Sequence, residues 1–91
     1  MPVEVRLPTV LRARAGGKSV VEADGGTLGE VLGDVVRQFP DLDGQVVTDD
    51  GALHKFVNVY RNDEDVRYLD KLDTTVSGGD VISILPAVAG G

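Results

Sequence analysis

The sequence predicts an α+β domain with a mixed sheet and one main helix across one face. Three stretches carry this prediction. Pro2 to Pro8 alternates apolar and polar. Leu28 to Phe39 holds a single apolar stripe at helical spacing. Val81 to Leu85 is a short apolar run near the end of the chain. Periods of two and of 3.6 in separate segments mean that strands and a helix share one core. At 91 residues the chain is one domain with a modest core.

The elements follow in order. In Pro2–Pro8, Val3, Val5 and Leu7 fall on one face and Glu4 and Arg6 on the other, a half-buried strand between prolines. Thr9–Ala15 reads as a loop or irregular extension, Gly16-Gly17 as a turn, and Lys18–Ala23 as the returning strand of a hairpin. Thr27 and Glu30 have the spacing of a capping box at a helix start. Leu28, Val31, Leu32, Val35, Val36 and Phe39 then form the apolar stripe, and Pro40 prevents continuation. Gly29 and Gly33 each cost about 1 kcal/mol against Ala inside this helix. They are either tolerated, the preferred reading, or a bare ridge used in close packing or by a partner. Asp41–Leu53 is irregular, with one helical turn expected around Asp43–Val47. In Lys55–Arg61, Val57 and Val59 should face inward and Phe56, Asn58 and Tyr60 outward. Asn62-Asp63 is a turn, Asp65–Leu69 a short or bulged strand, and Leu72–Ser77 a turn or short helix. Gly78-Gly79-Asp80 is a tight turn before the last strand, Val81–Leu85. A hairpin, a crossing helix and further strands make the element order of a β-grasp, with the first and last strands parallel in the middle of the sheet.

Composition excludes several functions. There is no Cys and one His, so no thiol nucleophile, disulfide framework or multi-His metal site is available. Net charge is −6, which disfavours nucleic acid and anionic membranes and suits a partner with a basic surface. No charged n-region is followed by an apolar h-region and no apolar run nears 18 residues, so neither a signal peptide nor a membrane span is expected, and a cytoplasmic protein is. Gly25–Gly29 lacks the order of a dinucleotide-binding loop. Asp41–Gly44 resembles a calcium loop, but its Gly comes too early and later ligands are missing. Asp63-Glu64-Asp65 reads as solvated turn charge rather than a metal site, and His54 as a structural residue. No nucleophile–base or paired-carboxylate arrangement stands out, so an enzyme is not expected.

The chain therefore divides into a body, residues 1–85, and a tail, residues 86–91, ending in Gly-Gly. Extended, Pro86–Gly91 reaches roughly 17–22 Å. Glycine lacks a Cβ and passes where other residues do not. Such a tail could thread a narrow channel beside a nucleotide and present its ionised carboxylate to the α-phosphate. A functionless stub is the competing reading.

The sequence resembles the ThiS/MoaD family of ubiquitin-like sulfur carriers over almost its whole length. The resemblance is carried by Leu7-Pro8-Thr9 with Leu11-Arg12, by Thr27-Leu28-Gly29, and by Phe56-Val57-Asn58-Val59-Tyr60 followed by Asn62-Asp63-Glu64-Asp65-Val66-Arg67. Gly79-Asp80 and Ile84–Gly91 complete it. The Asn62–Arg67 stretch draws the chain toward carriers of an actinobacterial cysteine-biosynthesis route rather than molybdopterin or thiamin carriers. The resemblance implies a protein co-substrate with no bound cofactor. An E1-like adenylating and sulfurtransferase enzyme would consume ATP to place a thiocarboxylate on Gly91. Pro86, Ala87, Val88, Ala89 and Gly90 would occupy that partner's channel, and Leu85, with Phe56 and Tyr60, would dock on it. Arg12 and Arg14 are read as solvated loop charge in preference to contacts with a partner's acidic groups. Downstream partners would be a PLP-dependent cysteine synthase and a zinc metalloprotease that releases cysteine. Other sulfur-accepting synthases (for molybdopterin, thiamin or specialised metabolites) and a ubiquitin-like modifier role stay open.

Overall fold

A computed structural model describes residues 2–55 and 57–86 of the chain. Five strands form one sheet: β1 (Val3–Arg6), β2 (Val20–Ala23), β3 (Val57–Arg61), β4 (Glu64–Asp65) and β5 (Val81–Pro86), in the order β2-β1-β5-β3-β4. β1 and β5 are parallel neighbours in the centre, and the other pairs are antiparallel. This is the β-grasp expected from the element order. The alternation holds: Val3, Val5, Leu7, Val57, Val59, Ile82 and Ile84 are buried on one face.

Helix α2 (Leu28–Gln38) lies on that face and buries Leu28, Val31, Leu32 and Val35. Each such aliphatic side chain contributes about 1.5–3 kcal/mol through burial. The Thr27 hydroxyl accepts from the Glu30 amide, as a capping box requires. Glu30 closes the box one residue earlier than expected, accepting from the Gly26 amide at 2.9 Å. The two glycines of α2 part ways. A Cβ on Gly29 would stand 3.3 Å from the Leu72 carbonyl oxygen, whereas one on Gly33 would meet nothing within 4 Å. Gly29 is therefore a close-packing glycine and Gly33 a tolerated one.

Several local expectations change. Thr9–Ala15 is not a loop: it forms a helical turn, α1 (Thr9–Arg12), that runs on as a 3-10 turn, Ala13–Ala15. Gly16, at φ 68°, ends it in the left-handed conformation that commonly stops a helix. A helical turn expected near Asp43–Val47 lies instead at Pro40–Leu42, where Pro40 opens a new 3-10 turn and Leu42 is buried. Asn62 and Asp63 both have positive φ, 48° and 74°, making the two-residue hairpin between β3 and β4. After β4 the chain turns at once into a 3-10 helix, Val66–Tyr68. The turn expected within Leu72–Ser77 is a 3-10 helix at Lys71–Asp73.

The outer edge of β2 is covered by side chains of α2. The Asp24 amide donates to Asp34 Oδ2 at 3.0 Å, and Gln38 Nε2 donates to the Glu22 carbonyl at 2.8 Å. These are backbone groups that an unprotected edge would offer to another chain.

Candidate functional site

The site develops from β5. Because side chains alternate, Ile82 and Ile84 enter the core and Ser83 and Leu85 face away from α2. Register sets their neighbours: Arg6 beside Ser83, Ser83 beside Tyr60, Tyr60 beside Asp65, and Leu85 beside Asn58. The result is an open groove of about 610 Å³, lined in part by Pro8, Val10, Arg12, Tyr60, Leu85 and Pro86. Leu85 is 47% exposed and Val10 70% exposed, so two aliphatic side chains face water beside the root of the tail. Arg6, Arg12 and Asp63 also line the groove, so the chain's net negative charge does not describe this face.

The structure brings Leu85 and Tyr60 together, as a docking patch requires. Phe56 and the tail residues Ala87, Val88, Ala89, Gly90 and Gly91 lie outside the described residues. Of the two loop arginines, Arg12 Nε donates to the Leu7 carbonyl at 3.2 Å and borders the groove. Arg14 instead donates to the Asp41 carbonyl at 3.3 Å. Arg12 is half-buried, whereas Arg14 stays exposed. Val10 was hidden in a stretch that reads as a loop; Pro8 before it and Gly16-Gly17 after it were the available helix signals.

The opposite end of β5 is held by Asp80, whose role the sequence did not reveal. Asp80 Oδ1 accepts from Asn62 Nδ2 at 2.9 Å; its Oδ2 accepts from the Ser77 amide at 2.8 Å and from Arg61 Nε at 3.2 Å. Asn62 Oδ1 in turn accepts from the Val81 amide. The Asn62 bond, with the Ser77 amide and Arg61, holds the Asp80 carboxyl below its ordinary value against a smaller opposing effect of burial. This network joins the turn after β3 to the turn before β5 and fixes the strand that leads to the tail.

Pro86 ends β5 without loss to the ladder. It stands opposite Val57, whose amide donates to the His54 carbonyl and whose carbonyl accepts from Arg67. Val57 thus turns its polar groups away from β5, and the proline's missing N–H leaves no gap on that side. Among the described residues, no group of three or more His, Cys, Asp or Glu side chains is placed to hold a metal ion, and no helix is long and apolar enough to cross a membrane.

A family model described as the ThiS family matches residues 5–91, nearly the whole chain. The chain belongs to the ThiS family. Sulfur carrier protein CysO of Mycobacterium tuberculosis is 45% identical over 93 residues, covering all of both chains. The crystal structure of the Amycolatopsis orientalis BexX/CysO complex contains a chain of the same fold, with TM-score 0.89 and 46% identity. It covers 98% of this chain and 99% of that one. Small archaeal modifier protein 3 of Haloferax volcanii is 34% identical, again over the whole of both chains. This ThiS-family chain is a sulfur carrier of the CysO type, a small carrier protein rather than an enzyme, and its chemistry is that of a C-terminal thiocarboxylate.

Proposed function

We propose that the chain carries sulfur on Gly91 and delivers it for cysteine synthesis. The observation that carries this reading is its 45% identity with CysO over the whole of both chains. The geometry supports it: the central strand β5 passes an exposed Leu85 as it approaches the tail.

In this reading an E1-like enzyme receives the groove around Leu85 and Tyr60, with Phe56 extending the patch. Residues 86–90 enter its channel. A carboxylate oxygen of Gly91 attacks the α-phosphorus of ATP, and pyrophosphate leaves. A sulfide-equivalent donor then attacks the acyl carbon and AMP departs with the oxygen, leaving the thiocarboxylate. The sulfur next bonds to the β-carbon of an activated serine on a PLP-dependent synthase, in place of the activated hydroxyl, which departs with its activating group. Migration of the acyl group from sulfur to the amine leaves cysteine amide-linked to the tail, and a zinc metalloprotease hydrolyses it free. Attachment to the carrier keeps sulfur at high effective concentration at each step. Because the first step consumes ATP, the cytoplasm is the compartment that suits it.

Intact mass distinguishes the steps. Incubation with an E1-like enzyme, ATP and sulfide should add the mass of an oxygen-to-sulfur exchange. Further incubation with the synthase and its activated serine should leave the chain heavier than its starting form by one cysteine residue. No first shift defeats the assignment to Gly91; a first shift without the second defeats the cysteine route and favours another acceptor. The likeness to small archaeal modifier proteins supports a second reading, conjugation to protein lysines. High-mass conjugates with Gly-Gly remnants on lysine would establish it, and a lysate free of them would dismiss it.

A further inference from the structure

The start of β3, opposite the end of β5, is braced from a side that the docking groove does not include. β4 pairs only with Tyr60 and Arg61, and covers none of β3 before them. Here Arg67 takes the place of a strand: its guanidinium donates to the Val57 carbonyl at 2.8 Å. The arginine is itself placed by Asp65, which ends β4 and accepts from the Arg67 amide at 2.9 Å. Val57 lies opposite Pro86, and the last hydrogen-bonded pair of the strands is its neighbour, Asn58 with Leu85.

From this we infer that Arg67 is a positioning residue for sulfur transfer, which sets the direction in which the tail leaves the body. This rests on the reading that Gly91 is the acceptor of sulfur. The physical argument is one of leverage. A carboxylate several residues beyond Pro86 has to meet the α-phosphorus in line, and small misplacement of reacting groups costs rate steeply. Fixing the backbone at Val57 fixes the surface against which Pro86 lies. Loss of that bond leaves the outward groove side chains in place, so encounter with the partner should persist while productive alignment falls. The Asn62–Arg67 stretch then has a mechanical purpose: a left-handed turn, a two-residue strand and a capped 3-10 turn together deliver one guanidinium to the carbonyl of Val57, the residue opposite Pro86.

The test uses Arg67→Met, which keeps an unbranched stem without a donor, and Arg67→Lys, which restores one. Steady-state thiocarboxylate formation is measured with the full chain, an E1-like enzyme, ATP and sulfide. Arg67→Met should lower kcat by roughly one order of magnitude with little change in KM for the carrier, and Arg67→Lys should recover most of the loss. Hydrogen exchange at the Leu85 amide should quicken in Arg67→Met and return in Arg67→Lys. Unaltered kinetics, or a change in KM alone, overturns the inference; so does a loss that lysine does not rescue. If Arg67→Met melts at the assay temperature, Arg67→Gln replaces it, with an intermediate kcat expected and wild-type kcat contradicting the role. An unconverted wild-type chain defeats the assignment to Gly91 instead, so the two failures are separate.

Discussion

Leu85 stands almost half exposed beside Tyr60 and Val10, while its neighbour Ile84 is 1% exposed. An aliphatic side chain turned to water at the tail's root gains by being covered, and its burial at an interface is worth on the order of 1–2 kcal/mol. Leu85→Asp is expected to raise KM for the carrier with its activating enzyme about tenfold or more. Its Tm should stay near that of the wild type, because the side chain lies outside the core. Wild-type KM in this variant would remove Leu85 from the docking surface. At the other end of β5, Asp80 has a lowered pKa from Asn62, the Ser77 amide and Arg61. A carboxyl lowered in the folded state adds stability above its unfolded pKa of about 4, and the contribution fades as pH falls through the folded value. Asp80→Asn should therefore be less stable by about 1–3 kcal/mol at neutral pH. Denaturant melts from pH 7 downward should show the gap between variant and wild type closing below about pH 4. A gap that persists unchanged at pH 2 would mean that the carboxylate charge is not its source.

Helix α2 offers a comparison within a single element. Gly29 and Gly33 both weaken the helix by the same backbone mechanism, and a sequence shows no difference between them. In the fold, Gly29 lets the Leu72 carbonyl approach, and Gly33 faces open space. Gly33→Ala should gain about 0.5–1 kcal/mol and raise Tm by several degrees. Gly29→Ala should gain nothing or lose stability, since the new methyl meets a backbone atom that has to move. Equal gains in thermal melts would show that the Leu72 turn gives way freely. Helix α2 was legible because its cap, stripe and stop all agree. Helix α1 was not, because four residues are too few to show a period, and only Leu11 in it is buried.

For the whole molecule, the proposed function makes the body a handle and the tail the reacting part. Among the described residues, the core is built on a five-stranded sheet whose last strand ends at Pro86. Deleting Gly91 is expected to leave the melting curve unchanged while abolishing the mass gain with ATP, sulfide and an activating enzyme. A deletion that still gains sulfur would move the attachment point away from Gly91. The edge of β2 is guarded by Asp34 and Gln38, while the tail-side face keeps exposed Leu85 and Val10. Two backbone groups on the β2 edge are thus occupied, while the Leu85 face stays exposed.

The sequence alone determined the strands that alternate, the capped helix, their β-grasp order and the family. These rest on local spacing: one strand period, one helix period and one cap are visible within a few residues. The family resemblance also implied Leu85 as a contact, and alternation along its strand turned Tyr60 outward. Only the tertiary structure decided that Val10 joins them, that Gly29 and Gly33 differ, and that Asp80 and Arg67 hold the two ends of the β3–β5 pair. Those facts depend on atoms far apart in the chain. Arg67 lies ten residues from the carbonyl it meets, and Asp80 eighteen from Asn62. Composition and periodicity show that such a residue can donate or accept; the closing of the sheet supplies its partner.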